Sequence, residues 1–568
     1  MPYTEYVFDL EADNLLDDVT KVHCIVLMQG DKVISFPPDK IQDALKLMSK
    51  ADKLIGHNII DYDLRVLEKI CNWKYKGEVF DTLVASRTIW CHLYQLDSSM
   101  QRINTNLYGS HSLKAWGYRL GELKGIFNQG TESFEKYSKE MLSYCIQDVK
   151  VTSLLYKKIL NKEFSEDALK MEHDIHTLLI QQQERGIHFD EVKAQKLYSN
   201  LASRKQEIED KLQKVFEPNV IVMKTKTKTT PFNPASRQQI AGRLKKRGWK
   251  PKEFTPSGEA KVDETILEKI DLPEAKLLRE YLMLNKRLGQ IATGKQGWLK
   301  LVTKGKIHGR VNHMGAITAR CTHSNPNLAQ VPRVGAEFGQ ECRELFNVPT
   351  GYVLLGADAT GLELRCLSHF LHRYDDGAYT KTLLEGDIHT ANQKAAGLET
   401  RQQAKTFIYG FLYGAGEEKI GQIIGRGSKE GRAIKKRFLD KTPALKRLKE
   451  AVNNTAKKGW IKGLDGRLLP IRHAHAALNT LLQSAGALIC KRWYININTG
   501  LLDSGISQED ASIVAFIHDE VQLQVRSGLE QKVGEIVQQA MQSTKDYYNF
   551  NIRLDTEWKS GNNWADTH

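Results

Sequence analysis

Apolar and polar positions along the chain change period several times, and each change predicts an element. Tyr6-Val7-Phe8-Asp9-Leu10-Glu11 alternates with a period of two, which predicts a strand with both acids on one face. The apolar run from Val22 to Met28 predicts its antiparallel neighbour. From Asp167 to Phe216 the pattern is helical and densely charged, predicting continuous long amphipathic helices. A further helix through Leu282 to Leu288 and a strand around Ile307 follow. Leu354-Leu355-Gly356-Ala357-Asp358 reads as a strand that turns into a helix carrying Glu363. RQQAKTFIYGFLYGAG, from Arg401, and HAALNTLLQSAGALICK, from His475, both read as helices. Ile513 to Ile517 enters His518-Asp519-Glu520 and leaves through VQLQV, which predicts a β-hairpin with acids at its tip.

A chain of 568 residues exceeds what one core supports, so these elements divide among several domains of an α/β multidomain protein. Lys and Arg outnumber Asp and Glu by 82 to 68, a net charge of +14 that favours a polyanionic partner. The eight cysteines form no CxxC pair and read as reduced, mostly buried thiols. The N-terminus is acidic and strand-like, and no stretch reaches the 18 or so uninterrupted apolar residues of a membrane span. The expectation is a soluble, cytosolic protein with no membrane association.

Acidic side chains recur where strands end. Asp9 and Glu11 stand two residues apart on one strand face, where both can hold one metal ion. Asp63 heads a helical stretch after Gly56-His57-Asn58, and Tyr144 and Asp148 share a helix face at i, i+4. Four acids and a phenol suffice for metal-assisted hydrolysis, with the tyrosine hydroxyl orienting the water. A lone Asp-x-Glu pair carries almost no information; the ordered set carries much more.

Asp358 and Asp519 form a second pair, delivered from separate strands as two-metal phosphoryl transfer requires. The Ala359 carbonyl would complete the coordination shell, and such oxygen donors suit Mg²⁺. Arg401, Lys405, Tyr409 and Tyr413 follow one another at i+4 spacing, two cations and then two aromatics. Arg401 and Lys405 would neutralise charge on a leaving pyrophosphate, and Lys405 would donate its proton. His389, in GDIHT, lies close enough in sequence to reach the same phosphates. Taken alone, this helix reads more readily as an amphipathic helix with a solvated cationic end and an aromatic core stripe; it does not stand alone. Asn479 and Gln483 share a face and serve either a nucleic-acid strand or buried backbone. The strip MKTKTKTTP, from Met223, is a solvated hairpin or loop, or a surface that tracks phosphates.

The first acid set resembles the DEDDy 3′–5′ proofreading exonucleases, whose metal ligands map onto Asp9, Glu11, Asp63 and Asp148 with Tyr144 beside the water. The later segments resemble DNA polymerase family A, with motif A at 358–365, motif B at 401–414 and motif C at 518–520. The likeness to replicative polymerases of T-seven-like short-tailed phages is strongest, carried by GSHSLKAWGYRLGELKG, KTFIYGFLYGAG and HAALNTLLQSAGALICK, and it covers nearly the whole chain.

That resemblance implies an RNase H-like exonuclease domain at 1–165, a thumb at 166–300, a palm with an antiparallel sheet split between 301–370 and 479–568, and fingers at 371–478. It implies Asp358 and Asp519 as polymerase metal ligands with Glu520 as a supporting carboxylate. Glu363 matches the steric gate against a ribose 2′-hydroxyl, and His518 lies by the primer end. Arg320 and Gln483 match minor-groove contacts. Tyr409 occupies the position where Tyr accompanies easy acceptance of dideoxynucleotides. The implied cofactors are two Mg²⁺ at each site, with Mn²⁺ as a substitute. The implied partners are primer-template DNA, dNTPs, a phage helicase-primase and a single-stranded DNA-binding protein, met by a monomer in the cytoplasm of an infected bacterium.

Two departures stand out. The family's Thr-Gly-Arg turn is Thr318-Ala319-Arg320 here. Only a short stretch separates Phe216 from Phe232, where some phage relatives carry a long insertion that recruits thioredoxin, so no thioredoxin clamp is expected. A single-subunit RNA polymerase, an exonuclease with a degenerate polymerase half, and a non-catalytic DNA-binding scaffold are the competing readings. Glu363 and the intact acid sets speak against them.

Overall fold

The computed structural model describes residues 3–125, 134–222 and 227–568. Its N-terminal part is built on a five-stranded sheet of order β3-β2-β1-β4-β5. Strand β1 (Glu5–Ala12) runs antiparallel to β2 (Val22–Gln29) and parallel to β4 (Lys53–Gly56). Strands β3 (Lys32–Phe36) and β5 (Glu78–Asp81) close the edges. The alternation in β1 sorts its residues between two cores. Phe8 and Leu10 pack with Ile25, Leu27, Leu54 and Val66, the last on helix α1 (Asp63–Cys71). Val7 packs on the other face with Val26, Cys145 and Val149, the latter two from helix α2 (Lys139–Leu160). Asp9 and Glu11 share the parity of Val7, so this burial turns both acids toward α2.

The expected continuous helices between Asp167 and Phe216 are two. Helix α3 (Glu166–Arg185) stops at Gly186, whose φ of 62° leaves the helical region, and a short strand Ile187–Phe189 precedes α4 (Glu191–Val215). Glycine takes that left-handed conformation without steric cost. Helix α4 packs along α5 (Pro273–Leu288), burying Leu201, Ile208 and Leu212 with Leu278, Tyr281 and Leu284. Beyond α4 the Lys/Thr strip lies partly outside the described residues, but Thr227–Thr230 pairs with Asn219–Val222 as a hairpin. Phe216 and Phe232 close its base with ring centroids 4.8 Å apart.

The C-terminal half centres on an antiparallel sheet of order β7-β8-β6-β9, formed by β6 (Tyr352–Ala359), β7 (Ala511–Ile517), β8 (Glu520–Arg526) and β9 (Thr556–Gly561). Helix α6 (Leu362–Asp375) leaves directly from β6. Helices α7 (Ile388–Ala396) and α8 (Arg401–Leu412) follow, and then α9 (Ala477–Asp503) and α10 (Glu530–Tyr547). Helix α9 is apolar around most of its circumference because protein surrounds it; Trp493 donates to the Val537 carbonyl of α10 at 2.9 Å. Among the described residues no helix is long and apolar enough to cross a membrane.

One buried ion cluster ties these parts together. Glu172 of α3 accepts from Lys491 of α9 at 2.7 Å and from His313 at 2.7 Å, and forms an ion pair with Arg467 Nη2 at 2.8 Å. Burial alone would raise the Glu172 pKa, but Lys491, Arg467 and His313 outweigh it and hold the carboxyl well below the usual range. Removing one member would leave an uncompensated buried charge.

Candidate active sites

In the C-terminal sheet, register brings the predicted acids together. Asp358, one residue from the end of β6, lies opposite Glu520, the first residue of β8. The Ala359 amide donates to the Asp519 carbonyl at 3.0 Å, which fixes the β7–β8 turn beside the end of β6. His518, in that turn, adopts a φ of 58°. A non-glycine residue held there stores strain of the kind that clusters at functional sites.

Burial, then Glu520 and Asp519, push the Asp358 carboxyl up to about 7. Asp519 is raised by burial and by Glu363. Arg320, Glu363, His518 and Asp519 line one cleft, floored by Gly486 and Ala487 of α9. Glu363 accepts a hydrogen bond from the Tyr413 hydroxyl.

Glu520 does more than the sequence indicates. Its carboxylate accepts from Trp564 Nε1, from Gln522 Nε2 at 2.7 Å and from His568 Nε2 at 3.0 Å. Asp358, Glu520 and His568 each offer a ligand atom within 4.8 Å of the others. Sequence reasoning missed these partners because Trp564 and His568 lie 44 and 48 residues downstream of Glu520.

The cationic and aromatic stripe forms on α8, which opens with a capping box at Thr400 and Gln403. Arg401 and Lys405 are exposed and Tyr409 is half-buried, its ring centroid 6.4 Å from that of His389. Tyr413 falls just past the helix, at its C-cap, because the chain turns there toward Gly414 (φ 75°). Arg401 Nε donates to Asp387 at 2.8 Å, while the same carboxylate caps α7 through His389 N at 3.0 Å. Helix α9 starts at Ala477, and His475 sits in a 3₁₀ turn, Ala474–Ala476, that precedes it. Asn479 and Gln483 are half-buried one turn apart on α9.

Ala319 is buried with a φ of 61°, so the turn into Arg320 keeps a glycine-like conformation without the glycine. Ala319→Gly is expected to be neutral or to stabilise by up to about 1 kcal/mol, since relief of the left-handed penalty opposes added chain entropy. A thermal melt checks this.

At the N-terminal sheet all five predicted residues converge. Asp63, at the first position of α1, accepts from the Leu10 amide on β1 at 3.3 Å. Tyr144 and Asp148 come from α2, and Cys145 between them donates to Asp9 at 3.5 Å. Burial is the leading cause of every shift here. It raises Asp9 well above its usual range, Glu11 to about 9, Asp63 to about 7 and Asp148 to about 6, with mutual repulsion adding to the first three. Four acids crowded in this way form an all-oxygen donor set suited to hard divalent cations. One cation was missed: Lys124 Nζ lies 2.7 Å from Asp148 and 4.8 Å from the centre of the Tyr144 ring. No periodic pattern marks Lys124; its only signal is the pair of glycines around it.

Paired carboxylates on adjacent strands, with Tyr409 and Tyr413 of a cation-bearing helix beside Asp519 and Glu363, fit a nucleotidyltransferase of the polymerase class. The model of DNA polymerase family A matches residues 198–566, and the chain belongs to that family. The DNA-directed DNA polymerase of Escherichia phage T7 is 38% identical across 99% of this chain and 100% of its own length. The DNA-directed DNA polymerase of Enterobacteria phage T3 gives the same values. The POL domain of Pol1 from M. smegmatis, solved with DNA primer-template and dNTP, superposes with a TM-score of 0.78 at 18% identity, covering 99% of this chain and 96% of that one. At that identity the likeness speaks for the fold.

Proposed function

We propose that this chain extends a primer 3′ end with dNTPs on a DNA template and removes mispaired 3′ ends at a separate exonuclease site. The observation that carries the reading is the meeting of Asp358 and Asp519 at the ends of paired strands. On this reading residues 1–165 are the RNase H-like proofreading domain, 166–300 the thumb, 301–370 with 479–568 the palm, and 371–478 the fingers.

Both acid clusters fit Mg²⁺ by donor chemistry, with Mn²⁺ as a substitute. Asp358, the Ala359 carbonyl and Asp519 would hold it at the palm, and Asp9, Glu11, Asp63 and Asp148 in the N-terminal domain. Bound there, the cations supply charge to stabilise attacking and leaving oxygens. The chain's own residues do the rest. Arg401, Lys405 and His389 bind the triphosphate, and Lys405 gives the proton to departing pyrophosphate. Arg401 must first exchange Asp387 for phosphate. Glu363, held by Tyr413, closes the space a 2′-hydroxyl would need. Tyr409 contacts the sugar; Arg320, Gln483 and His518 hold the primer terminus and minor groove. In the other site Tyr144 orients the attacking water.

Primer-template DNA and dNTPs are the substrates, and a phage helicase-primase and a single-stranded DNA-binding protein are the expected neighbours in an infected bacterium. The alignment with the phage T7 enzyme runs over 702 positions, so that relative carries segments this chain of 568 residues does without. The short Phe216–Phe232 hairpin supports the expectation that thioredoxin does not act here.

Primer extension in Mg²⁺ with deoxy-, dideoxy- and ribonucleotides tests this reading. Deoxynucleotides should be used, ribonucleotides rejected and dideoxynucleotides accepted. Tyr409→Phe should raise discrimination against dideoxynucleotides about tenfold or more, the loss of one hydroxyl's hydrogen bond. An unchanged ratio rejects Tyr409 as the sugar-sensing group.

A further inference from the structure

The geometry points to Lys124 as a catalytic residue of the exonuclease site, one whose ammonium moves from Asp148 to the scissile phosphate when the site is loaded. This inference rests on the exonuclease reading above and deepens it.

Three observations place Lys124 there. Its Nζ is 2.7 Å from Asp148 Oδ2, and the Asp148 side chain is only 5% exposed, so this is a directed contact in a closed site. The same ammonium lies 4.8 Å from the centre of the Tyr144 ring, beside the group proposed to orient water. The segment bearing Lys124 is fastened to the helix that carries both partners. Gln147 of α2 donates to the Glu122 carboxylate at 2.7 Å and to the Leu123 carbonyl at 2.9 Å. A Cβ at Gly125 would stand 3.2 Å from the Tyr144 ring, so the backbone after Lys124 rests against that side chain. The backbone of Lys124 is therefore fixed to the helix that carries Tyr144 and Asp148, and only its side chain moves when the ammonium leaves Asp148.

The chemistry follows from the donors. A divalent cation on Asp148 competes with the ammonium for the same carboxylate. Lys124, tethered through Gln147, then stays within the site with its charge unpaired, where the only new anion is the bound strand. An ammonium at the phosphate opposes the negative charge that grows there as the water oxygen bonds to phosphorus, giving its proton to solvent, and the bond to the 3′ oxygen breaks, that oxygen taking a proton from solvent. The lysine keeps its proton throughout and contributes charge alone. A mere counter-ion for an empty site would need no such tether.

Full-length Lys124→Gln and Lys124→Arg decide the matter, with primer extension as the internal control of folding. In Lys124→Gln, single-strand degradation at saturating Mg²⁺ should fall about 10- to 100-fold, extension should persist, and Lys124→Arg should recover most of the loss. Mn²⁺ affinity is measured by calorimetry with Asp358→Asn and Asp519→Asn added to silence the palm; it should rise in Lys124→Gln because the competitor is gone. Tighter Mn²⁺ binding with an undiminished degradation rate makes Lys124 a counter-ion only and overturns the inference. Absence of degradation in the wild type instead overturns the exonuclease reading beneath it.

Discussion

Asp358→Asn is expected to abolish primer extension, by roughly 10³-fold or more since the proposed metal site loses a ligand, and to stabilise the metal-free protein above neutral pH. The second effect follows from the raised carboxyl. Burial, Glu520 and Asp519 keep Asp358 protonated up to about 7 in the folded chain, whereas an unfolded aspartate loses its proton near 3.9. Between those values the folded state binds more protons than the unfolded one. Stability therefore falls as pH rises from about 4 to 7 and stays reduced above that. Asparagine has no proton to lose. In EDTA at pH 8 the variant should melt higher than wild type by about 2–5 °C, and the gap should close toward pH 4. Added Mg²⁺ should raise the wild-type Tm and leave the variant nearly unmoved. A variant that melts lower at pH 8 would mean that Asp358 makes structural bonds that outweigh its repulsion.

The second large effect is a separation of activities. Asp9→Ala combined with Glu11→Ala should remove single-strand degradation, by about 10³-fold or more, and leave extension within roughly twofold of wild type. The two acids face α2 beside the N-terminal sheet, and Asp358 and Glu520 belong to another sheet. Their removal takes away two buried carboxyls that burial and repulsion hold well above the usual range, so the double variant should fold well. Comparing degradation of a labelled single strand with extension of a labelled primer checks this. Loss of both activities together would show the two clusters are not independent.

Much of the site was legible because local periodicity carries it. The alternation Tyr6 to Glu11 placed both acids on one face, and the i, i+4 spacing of Tyr144 and Asp148 placed them on one side of α2. The apolar runs into Asp358 and His518 foretold strands that end in acids, and the register confirms that those ends meet. Other features have no local signature. The break between α3 and α4 hangs on one glycine and a strand of three residues that pairs far along the chain, with Lys306–Ile307 and Phe346–Asn347. The buried Glu172 cluster joins residues up to 319 apart, and only the fold makes that carboxylate differ from the exposed Glu166 and Asp167 of the same helix. Lys124 and Asp387 were invisible for the same reason: each matters for the charge it meets, and that charge sits on another element.

On the proposed reading, two acid clusters do opposite work on one strand. The most direct test follows one end-labelled primer on its template in Mg²⁺, with and without dNTPs, for wild type and Asp519→Ala. Wild type should lengthen the primer when dNTPs are present and shorten it when they are absent, and Asp519→Ala should shorten it in both. An Asp519→Ala protein that still lengthens the primer would contradict the account.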